Sequence, residues 1–399
     1  MDVTTTEPRI DLTDPRSFAG SQPHEAFRWM REHEPVYRHP RPDGGHFWVL
    51  TRHADVRAVG RDHRRFSNEA GGIHYTDLPS EALEVTRNMM LFMDPPEHHR
   101  YRRLVRDQFQ PDGAIAVRPR IEALARQIVD AVEGRDTFDL VTDVAGELPS
   151  FVIADLLGIA LDDGRKLYDL TEKMHSTSIP PEQSGAATFE MLHYAANVRN
   201  SKLGSPSDDL SSALVHATVN GEQLSAEQFC WFFLLLINAG GDTTRNAVGG
   251  GMLTLFEHPD QMRKLQADLD TLLPTAVDEI LRWVSPVIYM RRTALTDVEL
   301  DGVTIPEGEA VALYYGAANR DPAAFDDPET FDVGRVPNDH IAFGGGPHFC
   351  LGVHLARIEI EVMLREMLTR LPDLHLAGEP EWQDSTFIWG PKHLPVRTR

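Results

Sequence analysis

At 399 residues the chain is long enough to bury a sizeable core, and its 41% hydrophobic and 25% charged residues are ordinary for a globular protein. A formal charge of −22 argues against nucleic acid as the main partner, because phosphate binding needs positive faces. Two cysteines, Cys230 and Cys350, exclude a disulfide scaffold and a multi-cysteine zinc or iron–sulfur site.

The start, Met1-Asp2-Val3-Thr4-Thr5-Thr6-Glu7, is polar and lacks the apolar segment of a secretory signal. The longest apolar stretch, Phe229 to Ala239, is too short to span a bilayer. A cytoplasmic protein without a membrane partner is expected. In chain order, Phe47 to Thr51 is the first strand candidate. Asp94 to Arg103 opens a helix carrying a basic cluster, unusual in so acidic a chain. The cluster reads as a solvated basic face or an anion site. Apolar spacing predicts helices over Ile121 to Val132, after Pro119, and over Leu148 to Leu157.

The longest helical pattern runs from Ser225 to about Glu257, with Ser225-Ala226-Glu227-Gln228 fitting a capping box and Pro259 past its end. Such a helix, of roughly 33 residues, would be about 50 Å long. Cys230, in the run Phe229 to Phe233, reads as a small buried hydrophobe. Midway, Ala239-Gly240-Gly241-Asp242-Thr243-Thr244 is a run of poor helix formers. It marks either a packing notch or a functional site. Gly249-Gly250-Gly251 is expected to serve close helix packing.

Pro274 to Val284 predicts another helix, with Glu279 and Arg282 on one face. By spacing alone these read as a surface ion pair. Val298 to Ile305, around Asp301-Gly302, predicts a hairpin. Ala310 to Tyr315 follows as a strand, Ala317 to Arg335 as an irregular meander, and Val353 to Leu371 as a helix. The expected fold is mainly α with small β-sheets, in one domain over residues 1–399.

Phe343-Gly344-Gly345-Gly346-Pro347-His348-Phe349-Cys350-Leu351-Gly352 precedes that last helix. Backbone N–H groups and a positive helix end favour a thiolate. Glycines let a flat ligand approach closely. Three readings stand on this chemistry: Cys350 as a metal ligand, Cys350 as a nucleophile with His348 as its base, or a structural loop. No Lys-Ser/Thr pair follows, so this is not a Walker loop.

The stretch resembles the cysteine-ligand loop of the cytochrome P-450 family, through Phe343, Gly346, Cys350 and Gly352. Other motifs, in the family's order, extend the resemblance over nearly the whole chain. It implies the cytochrome P-450 fold, with haem between a long central helix and the cysteine-loop helix. It implies haem b (iron protoporphyrin IX) with Cys350 as axial thiolate. Glu279 and Arg282, with Arg335 in the meander, match the family's structural triad. Asp242 and Thr243 match the acid and alcohol that relay protons to bound oxygen, and Ala239 lies beside them over the haem. Thr244 is expected to be structural. His98, Arg102, Arg292 and His348 match the partners of the haem propionates.

The implied activity is an oxygen-dependent monooxygenase that hydroxylates a hydrophobic small molecule. Length leaves no room for a reductase domain, so electrons are expected from a ferredoxin and an NAD(P)H-dependent ferredoxin reductase. Arg100, Arg103 and Arg106 would then face an acidic donor. By position, Met90, Val287, Ile288, Met290, Ile388 and Trp389 line the substrate pocket. Steroids or terpenoids lead among the substrates, with secondary-metabolite tailoring or fatty-chain hydroxylation as alternatives. A peroxide-driven haem enzyme or a non-catalytic haem sensor fits less well with the Asp242–Thr243 pair.

Overall fold

The computed structural model describes residues 10–398, apart from 177, 178 and 220. The helices that frame the site are α1 (Glu97–Arg103), α2 (Pro111–Val132), α3 (Glu147–Leu157), α4 (Leu161–His175), α5 (Pro181–Gly204), α6 (Ala226–Glu257), α7 (Leu269–Val284) and α8 (Val353–Arg370). Helix α6 begins where expected. Ser225 accepts from the Gln228 N–H, and the Gln228 side chain accepts from the Ser225 N–H, closing the capping box. Burial on all sides is what a helix apolar around its circumference requires. Accordingly α6 packs against α3, α4, α5, α7 and α8.

The glycine triplet makes that packing possible. A Cβ at Gly250 would lie 3.0 Å from Val284 Cγ1, and one at Gly251 2.7 Å from Ile280 Cγ2. Close contact between α6 and α7 therefore depends on bare backbone there. Cys230 is buried among the apolar side chains of the same core.

Two helices start earlier than their sequence pattern suggests. Helix α2 begins at Pro111 rather than after Pro119, and α7 at Leu269 rather than Pro274, so both prolines stand inside helices. Both are exposed. A proline interrupts the bond to the carbonyl four residues earlier. For Pro119 that carbonyl belongs to Ile115, whose side chain is 60% exposed, so water can serve the orphan group.

The small sheet orders β1 (Val36–Pro40), β2 (His46–Leu50), β3 (Phe66–Ser67), β4 (Tyr289–Ala294) and β7 (Ala310–Tyr314) as β1-β2-β7-β4-β3. All its pairs are antiparallel except β2 with β7. Between β4 and β7, β5 (Val298–Leu300) and β6 (Val303–Ile305) form the expected hairpin, with Asp301 and Gly302 at positive φ. After the short helix Tyr315–Ala318 the chain has no regular element through Arg335. Among the described residues, no single helix is long and apolar enough to cross a membrane.

Candidate active site

The cysteine loop leaves a short turn at Gly346–His348 and enters α8 three residues after Cys350. The Cys350 N–H donates to the Phe343 carbonyl at 3.0 Å, which ties the cysteine back to the start of its own loop. Burial pushes the Cys350 thiol up, while the Gly352 N–H, Arg102 and Arg357 pull it down. The protein alone therefore keeps the thiol protonated, and a bound cation would have to displace the proton.

Cys350 opens onto a cavity of about 490 Å³. His98, Arg102, Arg292, His348, Phe343, Gly352, Ala239 and Thr243 also line it. So do four of the six expected pocket residues: Met90, Val287, Met290 and Ile388.

Two pocket expectations are corrected. Ile288 is fully buried in the core under β4, where its N–H bonds the Phe387 carbonyl. Trp389 donates its indole N–H to the Phe18 carbonyl and stacks on Trp382. Neither lines the cavity, and Phe387 lines it instead. The chain here alternates in extended form, so neighbouring side chains leave on opposite faces. Gly346 is also not on the cavity wall. Its φ of +67° is a left-handed conformation, and a Cβ there would collide with the Gly60 carbonyl. It is required for the close approach of the loop to that backbone.

The cationic wall is the most distinctive part. His98 and His348 rings lie 4.2 Å apart. Among the described residues, His98 Nδ1 and His348 Nε2 have no hydrogen-bond partner, and both are buried. Among the described residues, Arg102 reaches only the Pro347 carbonyl, at 3.4 Å, and Arg292 only the Arg291 carbonyl. None of the four is ion-paired among the described residues. Burial, then Arg102, His99 and Arg292, push His98 down to about 4. Burial and the same arginines hold His348 well below the ordinary imidazole range. A carboxylate placed here would reverse both shifts and pair the arginines. The donor set therefore fits the two propionates of a haem.

Helix α6 is continuous through its glycines and threonines, and on it Thr243 Oγ1 donates to the Ala239 carbonyl at 3.0 Å. Thr244, expected to be structural, also lines the cavity. Asp242 does not; it is buried on another face and interacts electrostatically with Glu172 of α4.

Behind the cysteine loop, Glu279 is fully buried and bonds Arg282 through both carboxylate oxygens at 2.8 Å. Arg335 Nε reaches the same carboxylate at 3.1 Å. Spacing alone pointed to the surface, and the meander's position overrides it. Missed from the sequence were Glu359 of α8, on the cavity wall, and Glu172. Arg245 and Asn246 were also missed, although their spacing from Asp242 on one helix face was an available signal.

A cavity that joins a buried thiol, two arginines and two histidines without carboxylate partners, and a hydroxyl-bearing central helix is that of an enzyme seating an anionic prosthetic group. The family model for cytochrome P450 matches residues 183–381. A steroid C26-monooxygenase of Rhodococcus jostii is 37% identical, over 97% of this chain and 84% of that protein. A methyl-branched lipid omega-hydroxylase of Mycobacterium bovis is 37% identical, over 93% and 90%. A Mycobacterium marinum cytochrome P450 solved in complex with pseudoionone superimposes with a TM-score of 0.91 at 34% identity, covering 98% of each chain. The chain belongs to the cytochrome P450 family and is a monooxygenase.

Proposed function

We propose that residues 1–399 act as one catalytic domain that holds haem b through Cys350 and hydroxylates a hydrophobic small molecule. A steroid or terpenoid is favoured over a fatty chain. The observation that carries this reading is the convergence of Cys350, Arg102, Arg292, His98, His348 and Thr243 on one largely apolar cavity. The steroid preference draws on the relative named for C26 oxidation of steroids. The methyl-branched lipid hydroxylase keeps branched chains in view.

Bound here, the haem supplies oxygen binding and activation. The chain's own residues do the rest. His98, Arg102, Arg292 and His348 hold the propionates. Thr243 presents a hydroxyl to the cavity, with Asp242 behind it as the acid that renews its proton. Met90, Val287, Met290 and Ile388 exclude water and orient an apolar substrate. The Glu279–Arg282–Arg335 triad fixes the meander before the cysteine loop.

Electrons are supplied in this reading by a ferredoxin and its NAD(P)H-dependent reductase. Arg103 and Arg106 are exposed and suit an acidic donor, Arg106 in only a long contact of 3.8 Å with Asp107; Arg100 is closely paired with Glu97 at 2.6 Å. The acidic chain suits the cytoplasm. The decisive test is the absorption spectrum of the reduced protein with carbon monoxide. A strongly red-shifted Soret band, lost in Cys350→Ser, is expected. A band at the position of a histidine-ligated haem overturns the assignment.

A further inference from the structure

Asp242, Arg245 and Asn246 stand at i, i+3 and i+4 on α6 and so share one face. That face meets α4, and none of the three lines the cavity. Glu172 of α4 accepts from Arg245 Nη1 at 2.6 Å. The Arg245 guanidinium lies 5.1 Å from the centre of the Tyr168 ring, also on α4. Gly390 closes the third side against Asn246.

This seam is buried, yet many of its polar atoms are unpaired. Arg245 is 2% exposed and Asn246 1%. Among the described residues, Arg245 Nε and Nη2, Asn246 Nδ2 and Oδ1, and the Tyr168 hydroxyl have no hydrogen-bond partner. Buried polar groups in native proteins are almost always bonded, to protein or to ordered water. Five such atoms together, of both donor and acceptor type, make a site for a water cluster. Glu172 keeps 34% of its side chain exposed, so the seam reaches solvent at that residue.

We propose that this α4–α6 seam is the proton entry to the active site, and that Glu172 is the positioning residue that loads Asp242. The proposal rests on the haem monooxygenase reading given above. A proton from solvent binds the Glu172 carboxylate and hops through water held by Tyr168, Arg245 and Asn246 to Asp242. Asp242 passes it to the Thr243 hydroxyl, and Glu172 is left as carboxylate; no electrons move. The charged groups that face Glu172 are Arg245, Asp242, Asp169, Lys392 and His393. Burial and then Asp242 raise the Glu172 carboxyl above its ordinary range, which favours proton uptake there.

Glu172→Gln keeps an acceptor for Arg245 and removes the transferable proton; Glu172→Asp restores an acid. In the holoenzyme, Glu172→Gln is expected to lower product formed per NAD(P)H by about tenfold, within the range for a proton-transfer group. It is also expected to raise the solvent isotope effect and flatten the acidic limb of the pH profile. Glu172→Asp should recover most of the yield. Apart from turnover, a high-resolution crystal structure should show ordered water on Arg245, Asn246 and Tyr168. A dry seam, or a Glu172→Gln enzyme with unchanged yield and isotope effect, overturns the proposal. The carbon monoxide spectrum separates the two readings: a normal thiolate band with an unaffected Glu172→Gln sinks this inference alone, whereas an abnormal wild-type band sinks both. Were Glu172→Gln not to fold, Glu172→Asp and the crystal structure would decide.

Discussion

The α7–meander junction and the α4–α6 seam bury glutamate and arginine in opposite ways. At the junction every donor of Arg282 is used. Its Nε and Nη2 go to Glu279, and its remaining bonds go to the carbonyls of Asn319, Pro328 and Thr330. The Glu279 carboxylate also accepts from the Asp332 N–H and from Asn338 Nδ2. Arg335 spends its outer nitrogens on the carbonyls of Asp326, Asp327 and Thr330. In the seam, Arg245 makes one bond among the described residues and leaves two nitrogens unpaired. A closed network specifies one structure, because any rearrangement strands a charge in low dielectric. An open one has capacity left for water and for protons. Both use the same residue types; the partners decide the role.

Three further measurements and one on the surface would break or sharpen that contrast. The largest effect is expected from Glu279→Ala. It leaves Arg282 and Arg335 with no carboxylate, and should cost about 3–5 kcal/mol in urea unfolding. Glu172→Ala should cost less, since water entering the open seam can take the place of the lost carboxylate beside Arg245. Equal losses at the two sites would remove the distinction.

Glu359 of α8 tests the open kind of burial directly. Its Oε2 has no partner among the described residues, and burial pushes its carboxyl up to about 8 from an ordinary 4.5. Between those values the folded chain holds a proton that the unfolded chain has released. Stability is therefore full below about pH 4.5 and falls as the pH rises to about 8, by about 5 kcal/mol. Glu359→Gln should remove that slope. An unfolding free energy equally dependent on pH in wild type and variant would show that Glu359 has a partner in solution.

Asp242→Asn should lower turnover by about 10²-fold, with the substrate-induced spectral shift retained. A loss of binding instead would make Asp242 part of the packing. The smallest effect belongs to the surface. Arg103→Glu or Arg106→Glu should slow reduction by the ferredoxin about severalfold and weaken its salt dependence. Unchanged reduction rates would move the donor elsewhere.

Much of the frame was legible. The capping box at Ser225 and the continuous apolar pattern beyond it located α6 to within a residue. The Asp301-Gly302 pair marked its hairpin through the positive φ it needs. The glycine loop located Cys350. Errors arose where a local rule met a tertiary exception. Prolines sit inside α2 and α7 at exposed positions, where a carbonyl that loses its helical partner can turn to solvent. Extended backbone at Ile288 and Trp389 turned those side chains away from the cavity, although their neighbours Val287 and Ile388 face it.

By itself, then, the sequence determined the helices, the cysteine loop and the types of group at the site. These depend on chemistry within a few residues: capping, glycine conformations, apolar spacing. Which face of α6 meets the cavity and which meets α4 was decided only by tertiary packing. So was the burial of Glu279, whose partners lie on the meander more than fifty residues away. Glu172 and Arg245 are 73 residues apart, and they became neighbours only when α4 folded across α6.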